Sequence, residues 1–595
     1  MLSELVPGDH PILTVEVSMA SYTRRDFIRR GMEGGASLSL LSAGTRAAGA
    51  ASGYSMVPGP AKGPQTVTAH PTEIVVTTTP VRERFGGVGF HAEMFLDVST
   101  QDFFEQVLAK RWRELNPRFA RLFHHWKPGH PGVRDAKALE AMARQLVFMK
   151  EAAGTEIYIT TADLKETVSD EERRAYAQAV VNDLEYLLNQ GASNLKYYCC
   201  ANELSLDDWA DMHEDLPKYR GYQQSIFEEI KRRKLNIKML ATDASPVEYW
   251  PTLEWAAEHM DDVTGIYGAH HYLNDHEPSN LDFYSWFKGR CSWAVDLARS
   301  KGKDFILGEF GPAQYQELKY GVRWDTCRYF GTPLEPLAGL QLAEAAMAAI
   351  NAGAYALSYW TFTDYPDEKG ENWINQWGVF KWLTNDGVTR APYYSFGLLT
   401  KFFRGPATVC QVKTEEEKLR VVAVQHDEDK TWSIAVINRD TRDVPVRLLL
   451  PGSSQPAVFR KYSYDPKHVP MTEDGDLQAP SAKLPLHDGA LADIVEAGTL
   501  AVYTTAYDDT PPAPVRGLEV ARIHDTRAPG GSAGANRLRW TPNTEPDLCY
   551  YRIYHHGARI GSTVANEFID AGPGNDRPDG YSVVAVDRSG NASSS

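Results

Sequence analysis

Residues 195–204 read Leu-Lys-Tyr-Tyr-Cys-Cys-Ala-Asn-Glu-Leu, and this stretch decides the fold. Its apolar and aromatic first half predicts a short buried strand that ends at Asn202 and Glu203. A second apolar stretch, Asp304–Pro312, carries Glu309 near its C-terminal end in the same way. Both stretches belong to a series in which strands alternate with helices. We therefore expect the two carboxylates at the same edge of one parallel sheet.

Eight candidate strands lie in this series, and helix-like segments separate them. The strands are Phe85–Phe95, Phe119–Trp126, Glu156–Asp163, Leu195–Leu204, Ile237–Asp243, Val263–Tyr272, Asp304–Phe310 and Ala354–Phe362. The clearest helices are Thr100–Leu115, Lys137–Ala153, Asp170–Gln190 (with Ser169 as its candidate N-cap) and Leu337–Ala352. Eight strand–helix repeats with apolar strands favour a (β/α)8 TIM barrel, an α/β fold. A doubly wound open sheet is the alternative.

Changes in composition divide the rest of the chain. Residues 52–72 are rich in Gly, Pro and Ala and are interpreted as a linker, and residues 73–404 contain the barrel. The β-rich start of that range, residues 73–80, is expected to pair with a downstream β-domain. Residues 405–508 lose the helical pattern and predict an antiparallel β-sandwich.

The C-terminal residues 511–595 follow a proline-rich segment and alternate between apolar and polar residues again. This region resembles a fibronectin type III module, with Trp540 at the core tryptophan position and Tyr581 at the tyrosine corner. The resemblance implies a second small β-sandwich at this end of the chain.

The first 51 residues contain an arginine-rich motif. Thr23-Arg-Arg-Asp-Phe-Ile-Arg-Arg30 precedes a mildly apolar run and a stretch of small residues, Ala47–Ala51. Residues 1–51 are therefore similar to a twin-arginine export signal, with Met19 as an alternative start. The apolar run is shorter than the roughly 20 residues of a membrane-spanning helix. We expect export to the periplasm, the cell surface or the medium, with no integral membrane segment.

Composition and charge restrict the partners. A chain of 595 residues is too long for one core, because single cores stop growing at about 250–300 residues. The net charge of -16 disfavours nucleic acid and anionic membranes, both of which attract cations. The six cysteines show no metal-ligand spacing, so no zinc site is expected. Neighbouring Cys199 and Cys200 should point to opposite faces of their strand as core residues.

Polar residues gather where the candidate strands end, the face on which barrel enzymes build their active sites. They are Glu93, Arg121, His125, Asp163, Asn202, Glu203, Asp243, His270, Tyr272 and Glu309, with Trp360 ending the last strand. Any one of them could be ordinary solvated loop polarity. Their number at one face predicts a catalytic site.

Two carboxyl groups on opposite sides of the ring suit glycoside hydrolysis, which needs one group to protonate the leaving oxygen and another to attack or stabilise the sugar cation. Strands four and seven lie nearly opposite in an eight-stranded ring. We therefore assign Glu309 as the nucleophile and Glu203 as the acid/base. Arg121 and Tyr272 are expected to bind the nucleophile, and Asn202 to bind the sugar 2-hydroxyl.

Further substrate-binding residues are expected around this pair, namely Glu93, His270, Trp360 and Trp377. The loop after strand seven contains Tyr315, Tyr320, Arg323 and Trp324, and the loop after strand eight contains Trp373, Trp377 and Trp382. Long loops rich in aromatic residues indicate sugar subsites, although core packing is the other use of such residues.

Several motifs together resemble the clan A glycoside hydrolases. They are Asn202-Glu203, His270-His-Tyr272, Gly308-Glu-Phe-Gly311 and Tyr359-Trp-Thr-Phe-Thr-Asp364. Within the clan the order of parts is similar to family 39, the β-xylosidase and α-L-iduronidase group. The resemblance covers about residues 73–508 and implies a retaining mechanism without a metal or cofactor. Leu204 departs from the family pattern, in which proline usually follows the acid/base.

The sequence thus predicts an exported retaining glycosidase that acts on plant or microbial polysaccharides or oligosaccharides. One alternative is a carbohydrate-binding or adhesion protein that has the barrel but not the catalysis. A second is a transglycosylase of the same clan, which would pass the sugar to another sugar instead of to water. The sequence contains no signal for an oligomeric state.

Overall fold

A computed structural model describes most of the chain after residue 69. The described ranges are 70–161, 165–167, 169–204, 215–273, 281–312, 336–366, 374–375, 377–380, 388–451, 457–472, 474–525, 533–571 and 578–594. The expected export signal, nearly all of the linker, and Asp163 lie outside these residues. So do the aromatic and basic residues named for the loop after strand seven, as well as Trp373 and Trp382.

Nine α-helices occur in the described residues, together with short 3-10 helices at Val247–Tyr249 and Asp261–Val263. They are α1 (Gln101–Phe103), α2 (Ala109–Leu115), α3 (Ala136–Ala153), α4 (Asp170–Asn189), α5 (Leu216–Arg232), α6 (Pro251–His259), α7 (Phe283–Ser300), α8 (Pro336–Ala352) and α9 (Ala391–Phe402). A π-helical turn, Phe104–Leu108, joins α1 to α2. The four helices predicted from the sequence are confirmed to within a residue or two at each end.

Eight strands form the barrel. They are β1 (Thr72–His91), β2 (Phe119–His124), β3 (Glu156–Thr161), β4 (Leu195–Cys199), β5 (Lys238–Ala244), β6 (Ile266–Leu273), β7 (Phe305–Pro312) and β8 (Ala356–Tyr359). Each strand pairs with the next in chain order. β1 also pairs parallel to β8, with Gly87 opposite Ala356, and this pairing closes the ring. An open doubly wound sheet would leave those two strands apart.

Local sequence signals explain where the helices begin and end. The Ser169 side chain accepts a hydrogen bond from the amide of Glu172, as expected of an N-cap, and Asp135 caps α3 in the same way. α3 ends at Gly154, whose φ of 62° is the left-handed conformation that favours glycine at a helix C-terminus. These signals hold each helix to the length needed to return the chain to the next strand.

The inner face of the barrel is apolar at the amino ends of the strands. A cluster inside the ring takes one or two side chains from each of β2–β8: Phe119, Tyr158, Tyr197, Cys199, Leu240, Ile266, Ile306 and Ala356. Cys200 belongs instead to the larger core between the barrel and its helices, so the two cysteines pack on opposite sides as predicted. Because side chains alternate along a strand, the inward positions nearer the carboxyl ends, such as Arg121, carry the polar residues.

β1 continues beyond the barrel into the β-sandwich. Its first residues, in the run 73–80, pair antiparallel to β11 (Arg404–Thr414) and parallel to β14 (Val444–Leu449). At the barrel end β1 approaches β2 so closely that a Cβ at Gly89 would lie 1.7 Å from the Phe119 carbonyl oxygen. Only glycine fits there. One long strand therefore joins the two domains.

The sandwich contains β11, β14 and six further strands: β12 (Leu419–His426), β13 (Trp432–Asn438), β15 (Ala457–Tyr464), β16 (Ala482–Leu486), β17 (Ala490–Val495) and β18 (Leu500–Thr504). They continue the sheet of the barrel in the order β16-β15-β18-β13-β12-β11-β1, and β14 pairs with β1 and β17. Their inner faces form a separate apolar core. Between β8 and β11, the short strands β9 (Tyr365–Pro366) and β10 (Ile374–Asn375) pair with each other.

Two three-stranded sheets form the C-terminal unit. One contains β19 (Arg516–Asp525), β20 (Ala533–Thr541) and β23 (Glu567–Asp570), and the other β21 (Leu548–His555), β22 (Ala558–Thr563) and β24 (Tyr581–Asp587). Trp540 lies in the core between them, and the Tyr581 hydroxyl donates to Asp570. The fibronectin type III likeness remains a prediction.

A group of charged residues around the buried Asp476, which we call the junction cluster, fixes this unit to the other two domains. Asp476 of the sandwich contacts Lys110 on α2 of the barrel. From the C-terminal unit, the side chains of Tyr550, Arg552 and Arg559 lie 3.0, 3.2 and 2.8 Å from its carboxylate. One carboxylate thus contacts all three domains.

Among the described residues, no helix is both long and apolar enough to cross a bilayer.

Candidate active site

Glu203 and Glu309 meet at the carboxyl end of the barrel. Glu203 follows β4 by four residues, and Glu309 lies within β7. Both side chains are buried, and they approach each other so that their nearest carboxylate oxygens are within 4.8 Å. Glu203 has a φ of 52°, a left-handed backbone that non-glycine residues rarely adopt. The backbone therefore bends at the carboxylate itself, as is common at functional positions.

Arg121, on β2, binds both Glu309 and Asn202. Its Nη1 donates to Glu309 Oε2 at 2.6 Å, and its Nη2 donates to Asn202 Oδ1 at 2.5 Å. The guanidinium is fully buried, and although burial lowers its pKa, the charges of Glu309 and Asp243 raise the pKa above its ordinary value. Tyr272 donates its hydroxyl proton to the other oxygen, Glu309 Oε1. Both oxygens of Glu309 are thus oriented by donors from β2 and β6.

His270 is fully buried behind the two glutamates. Its Nδ1 lies 3.4 Å from Glu203 Oε1, and its Nε2 lies 2.8 Å from Asp243 Oδ1 on β5. Burial alone would lower its pKa, but the contacts with Asp243 and Glu203 raise it to about 9. In the same way, burial would raise the pKa of Asp243, but the charges of His270 and Arg121 lower it. The two side chains therefore form an ion pair at neutral pH.

Glu93 lies next to this group on the side of β1 and β2. Its Oε1 accepts from the Phe123 amide at 2.7 Å, and its Oε2 lies 3.4 Å from His125 Nε2. Burial would raise its pKa, but His125 and His91 together hold the pKa well below its ordinary value. The pKa of His91 falls to about 4, because burial outweighs its contact with Glu93. His91 Nδ1 lies 3.0 Å from Arg121 Nη1, so the neutral His91 ring links Glu93 to the residues around Glu309.

Aromatic side chains surround the charged groups. Trp360 lies 4.4 Å from His91 and 5.7 Å from Phe123, measured between ring centroids. Trp377 packs edge-on against Trp360 at 6.0 Å and lies 6.0 Å from Tyr272. Flat faces of this kind beside paired carboxylates suit a sugar ring.

A buried ion pair positions Trp377. Asp364 and Arg390 form two parallel contacts of 2.6 and 2.7 Å, and Asp364 also accepts from the Gly378 amide at 2.9 Å. The Tyr359 hydroxyl donates to the Trp377 carbonyl at 2.7 Å. These bonds fix residues 377–380 against the end of β8, and therefore hold the tryptophan beside the glutamates.

The structure thus brings together the proposed site residues: Glu93, Arg121, Asn202, Glu203, His270, Tyr272, Glu309, Trp360 and Trp377. Sequence analysis assigned no role to His91, Phe123 or Tyr158, and named Asp243 without a role. Tyr158 donates to Asp243 from β3. The alternation of side chains along a strand was the signal that could have identified two of them. His91 precedes Glu93 by two positions and Phe123 follows Arg121 by two, so each faces the same side as a predicted site residue.

Glu203, His270 and Glu309 also offer three ligand atoms close enough to hold a cation. Metal binding needs a neutral imidazole and unprotonated carboxylates. Here, however, the pKa of His270 is raised to about 9, so the ring keeps its proton at neutral pH. Glu309 is already bound by Arg121. The arrangement suits acid–base chemistry better than metal binding.

Comparisons with known proteins bear on the fold. No protein-family model matches the sequence, and a search of curated proteins found no match. The structure is similar to the bacterial orthologue of human α-L-iduronidase, with a TM-score of 0.57 at 14% identity over 88% of this chain and 98% of that one. It is also similar to a family 30 xylanase from Clostridium acetobutylicum, with a TM-score of 0.51 at 14% identity over 73% and 99%.

An α-L-arabinofuranosidase from Thermotoga maritima matches equally, with a TM-score of 0.51 at 14% identity over 73% of this chain and 99% of that one. The iduronidase match covers 88% of this chain. Residues 1–508 make up a smaller share of the 595 residues, so the match extends into the C-terminal unit. The family 39 likeness remains a prediction. At these identities the likeness concerns the fold alone, an eight-stranded barrel.

Proposed function

We propose that this protein is a retaining glycoside hydrolase with Glu309 as nucleophile and Glu203 as acid/base. The observation that carries the proposal is the approach of the two carboxylates to within 4.8 Å. Retaining enzymes separate their carboxyl groups by about 5–5.5 Å, whereas inverting enzymes need about 6.5–9.5 Å to admit a water. The approach of the nearest oxygens to within 4.8 Å supports the retaining arrangement, in which one of the two groups attacks directly.

The surroundings support these two roles. Arg121 and Tyr272 bind both oxygens of Glu309, which stabilises the anion that must attack. Glu203 is buried, and its Oε1 lies 3.4 Å from His270 Nδ1. A carboxyl group in such a place can gain and lose a proton.

In the first step, Glu309 bonds to the anomeric carbon while the glycosidic bond breaks, and the leaving oxygen takes the proton of Glu203. In the second, a water oxygen bonds to the anomeric carbon, Glu203 takes the water proton, and Glu309 leaves as a carboxylate. The configuration at the anomeric carbon is retained.

The substrate is proposed to be a plant or microbial polysaccharide or its oligosaccharides. A first panel should contain xylosides, α-L-iduronides and α-L-arabinofuranosides, because the solved structures of similar fold include a xylanase, an α-L-iduronidase orthologue and an α-L-arabinofuranosidase. Polysaccharides with reducing-end detection complete the panel.

Glu309→Ala is the decisive variant. The rate should fall about 10⁴-fold or more, and azide should restore part of it with a product of inverted configuration. Glu344→Gln is the matched control, because Glu344 is a buried glutamate that pairs with Arg420 and Arg439 outside the site. Its rate per folded molecule should not change. Sugar binding by the natural protein without release of any reducing end would contradict the proposal.

We also propose export by the twin-arginine route and a fibronectin type III fold for residues 511–595. The arginine-rich motif within residues 23–30 supports the first proposal. A fusion of residues 1–51 to a reporter should be exported, and replacement of Arg24 and Arg25 by lysine should stop export. The two three-stranded sheets of the C-terminal unit support the second.

A further inference from the structure

A cleft of about 620 Å³, which we call the α4 cleft, lies beside the carboxyl end of β2. One wall is the loop 126–134, which follows β2, and the other wall is helix α4. The loop contributes Trp126, Val133 and Arg134, and the helix contributes Asn182, Tyr186 and Asn189. Sites for small ligands typically have volumes of about 300–1,000 Å³. The α4 cleft is therefore large enough to take a ligand.

The loop wall is held in one conformation by its own backbone bonds. An antiparallel bridge pairs Trp126 with Arg134, and the Lys127 amide donates to the Val133 carbonyl at 2.8 Å. Gly132 has a φ of 84°, in the left-handed region that favours glycine, and so allows the loop to turn back. The loop thus presents its side chains to the cleft without needing to be ordered by a ligand.

Three consecutive residues separate the α4 cleft from the candidate active site. His125 faces the active site, where its Nε2 lies 3.4 Å from Glu93 Oε2. The residues on either side of it face α4: His124 Nε2 lies 3.1 Å from Asp183 Oδ2, and Trp126 lines the cleft. This division follows from the alternation of side chains along an extended chain. The α4 cleft therefore adjoins the active site.

A buried carboxylate orients the arginine of the cleft. Asp183 lines the cleft but is only 2% exposed, and its two oxygens contact His124 Nε2 and Arg134 Nε. The Arg134 guanidinium also lies over the Tyr186 ring, 5.4 Å from the ring centroid. Arg134 is thus held at one edge and on one face, although its side chain is 42% exposed. Its terminal nitrogens are therefore oriented hydrogen-bond donors.

Helix α4 adds amides and an aromatic ring at helical spacing. Ala179, Asn182, Tyr186 and Asn189 follow one another every three or four positions, so they lie on one face of the helix. Both asparagines are exposed, and each amide can donate and accept. Tyr186 offers a flat apolar face with a hydroxyl at its end. This combination suits a sugar, because sugar hydroxyls both donate and accept, while the C–H faces of the ring are apolar.

We propose that the α4 cleft is an accessory site that binds one sugar unit of a polysaccharide chain. The class of ligand rests on the proposed function, whereas the cleft and its polar groups do not. Asp183 and Glu185 both line the cleft, so an anionic ligand would meet two carboxylates, and a neutral sugar complements the charge better. A chain held there raises the local concentration of glycosidic bonds beside Glu203 and Glu309.

Binding measured without turnover tests the site directly. Glu309→Ala is titrated by calorimetry with xylohexaose, cellohexaose and arabinohexaose, and the measurement is repeated after Asn182→Ala and Tyr186→Ala are added to it. The added changes remove an exposed amide and the ring beneath Arg134, so the association constant should fall about 10-fold or more. Both variants are compared at equal concentrations of folded protein, verified by circular dichroism.

Two further variants separate the cleft from the helix that forms it. Gln178→Ala is the matched control, because Gln178 is an exposed amide on α4 that does not line the described cleft. Its association constant should not change. Ala179→Trp fills the cleft instead of removing its polar groups, because Ala179 lines it. It should weaken binding as much as the loss of Asn182 and Tyr186 does.

Kinetics give a second measurement that a structural role would not reproduce. With a polysaccharide substrate, Asn182→Ala/Tyr186→Ala should raise KM about 10-fold and leave kcat unchanged, because the lost contacts bind substrate and transition state equally. With a small aryl glycoside neither constant should change, since one sugar occupies only the active site.

The outcomes distinguish this proposal from the proposed function. Equal affinity with and without the changes at Asn182 and Tyr186, or no binding to any of the three oligosaccharides, would overturn the accessory site. An active enzyme with that result would leave the proposed function standing. An inactive natural protein whose sugar affinity falls with the cleft variants would contradict only the proposed function.

Discussion

The site cluster, which comprises Arg121, Glu203, Asp243, His270 and Glu309 at the carboxyl end of the barrel, and the junction cluster both contain buried charged residues, yet their contacts differ. In the junction cluster, Asp476 meets Lys110, Arg552 and Arg559, and Arg559 also contacts Asp474. Burial would raise the pKa of Asp476, but these cations hold the pKa far below its ordinary value. In the site cluster, Arg121 binds Glu309, and His270 contacts both Asp243 and Glu203. Several cations beside one carboxylate fix it as an anion, whereas a general acid must be able to exchange its proton.

This difference indicates what each cluster can do. The junction cluster cannot exchange protons near neutral pH and serves to hold three domains together. On the proposed function, Glu203 of the site cluster carries the exchangeable proton that acid–base catalysis requires.

The largest expected effect is a loss of activity when a carboxyl group of the site cluster is changed. Glu203→Gln removes the exchangeable proton, so kcat/KM should fall about 10²–10⁴-fold for glycosides with poor leaving groups. It should fall far less for an aryl glycoside whose leaving group needs no proton. Parallel assays with the two substrate types measure this. An equal loss on both would exclude Glu203 as the acid.

Asp476→Asn should act on stability alone. Breaking a buried pair by removing one partner costs about 3–5 kcal/mol, because Lys110 stays buried beside a neutral group. Urea unfolding measures the free energy, and kcat/KM per folded molecule should stay unchanged. A loss of kcat/KM in the folded variant would contradict the separation of the two clusters.

The pH dependence of stability should have opposite signs in the two clusters. The pKa of His270 is about 9 in the folded protein and about 6.5 when unfolded. Its stabilisation is complete below pH 6.5 and is lost as the pH rises through 9, about 3 kcal/mol in all. The lowered pKa of Asp476 gives stabilisation that is lost only in acid.

Unfolding of the natural protein and His270→Asn at pH 6, 7.5 and 9 checks this prediction. The natural protein should lose stability over this range, and the variant should lose less. A natural protein equally stable at pH 6 and pH 9 would show that His270 is uncharged when folded.

The smallest effect belongs to an exposed pair. Arg447 Nη1 lies 3.0 Å from Glu73 Oε1 between β14 and β1, and both side chains are roughly half exposed. Glu73→Gln should cost less than about 1 kcal/mol, because water and salt screen exposed charges. Urea unfolding at low and high salt measures it. A loss as large as that of Asp476→Asn would show that burial is not what distinguishes the clusters.

Much of the fold followed from local signals. The alternation of apolar strands and capped helices predicted a barrel, because each element buries one face against the next. Ser169 and the apolar run of β4 are examples. The strand ends also identified most of the site, since the carboxyl ends of parallel strands meet at one face.

The sequence by itself determined which residues reach the carboxyl end of the barrel, because strand periodicity and strand direction are local properties. It did not determine which of them touch. The Asp243–His270 contact depends on the absent side chain of Gly308, more than thirty positions away along the chain. The junction cluster likewise joins residues from three domains. Contacts between distant segments arise from packing, and only the tertiary structure fixes that Glu203 lies beside His270 and Asp476 beside Lys110.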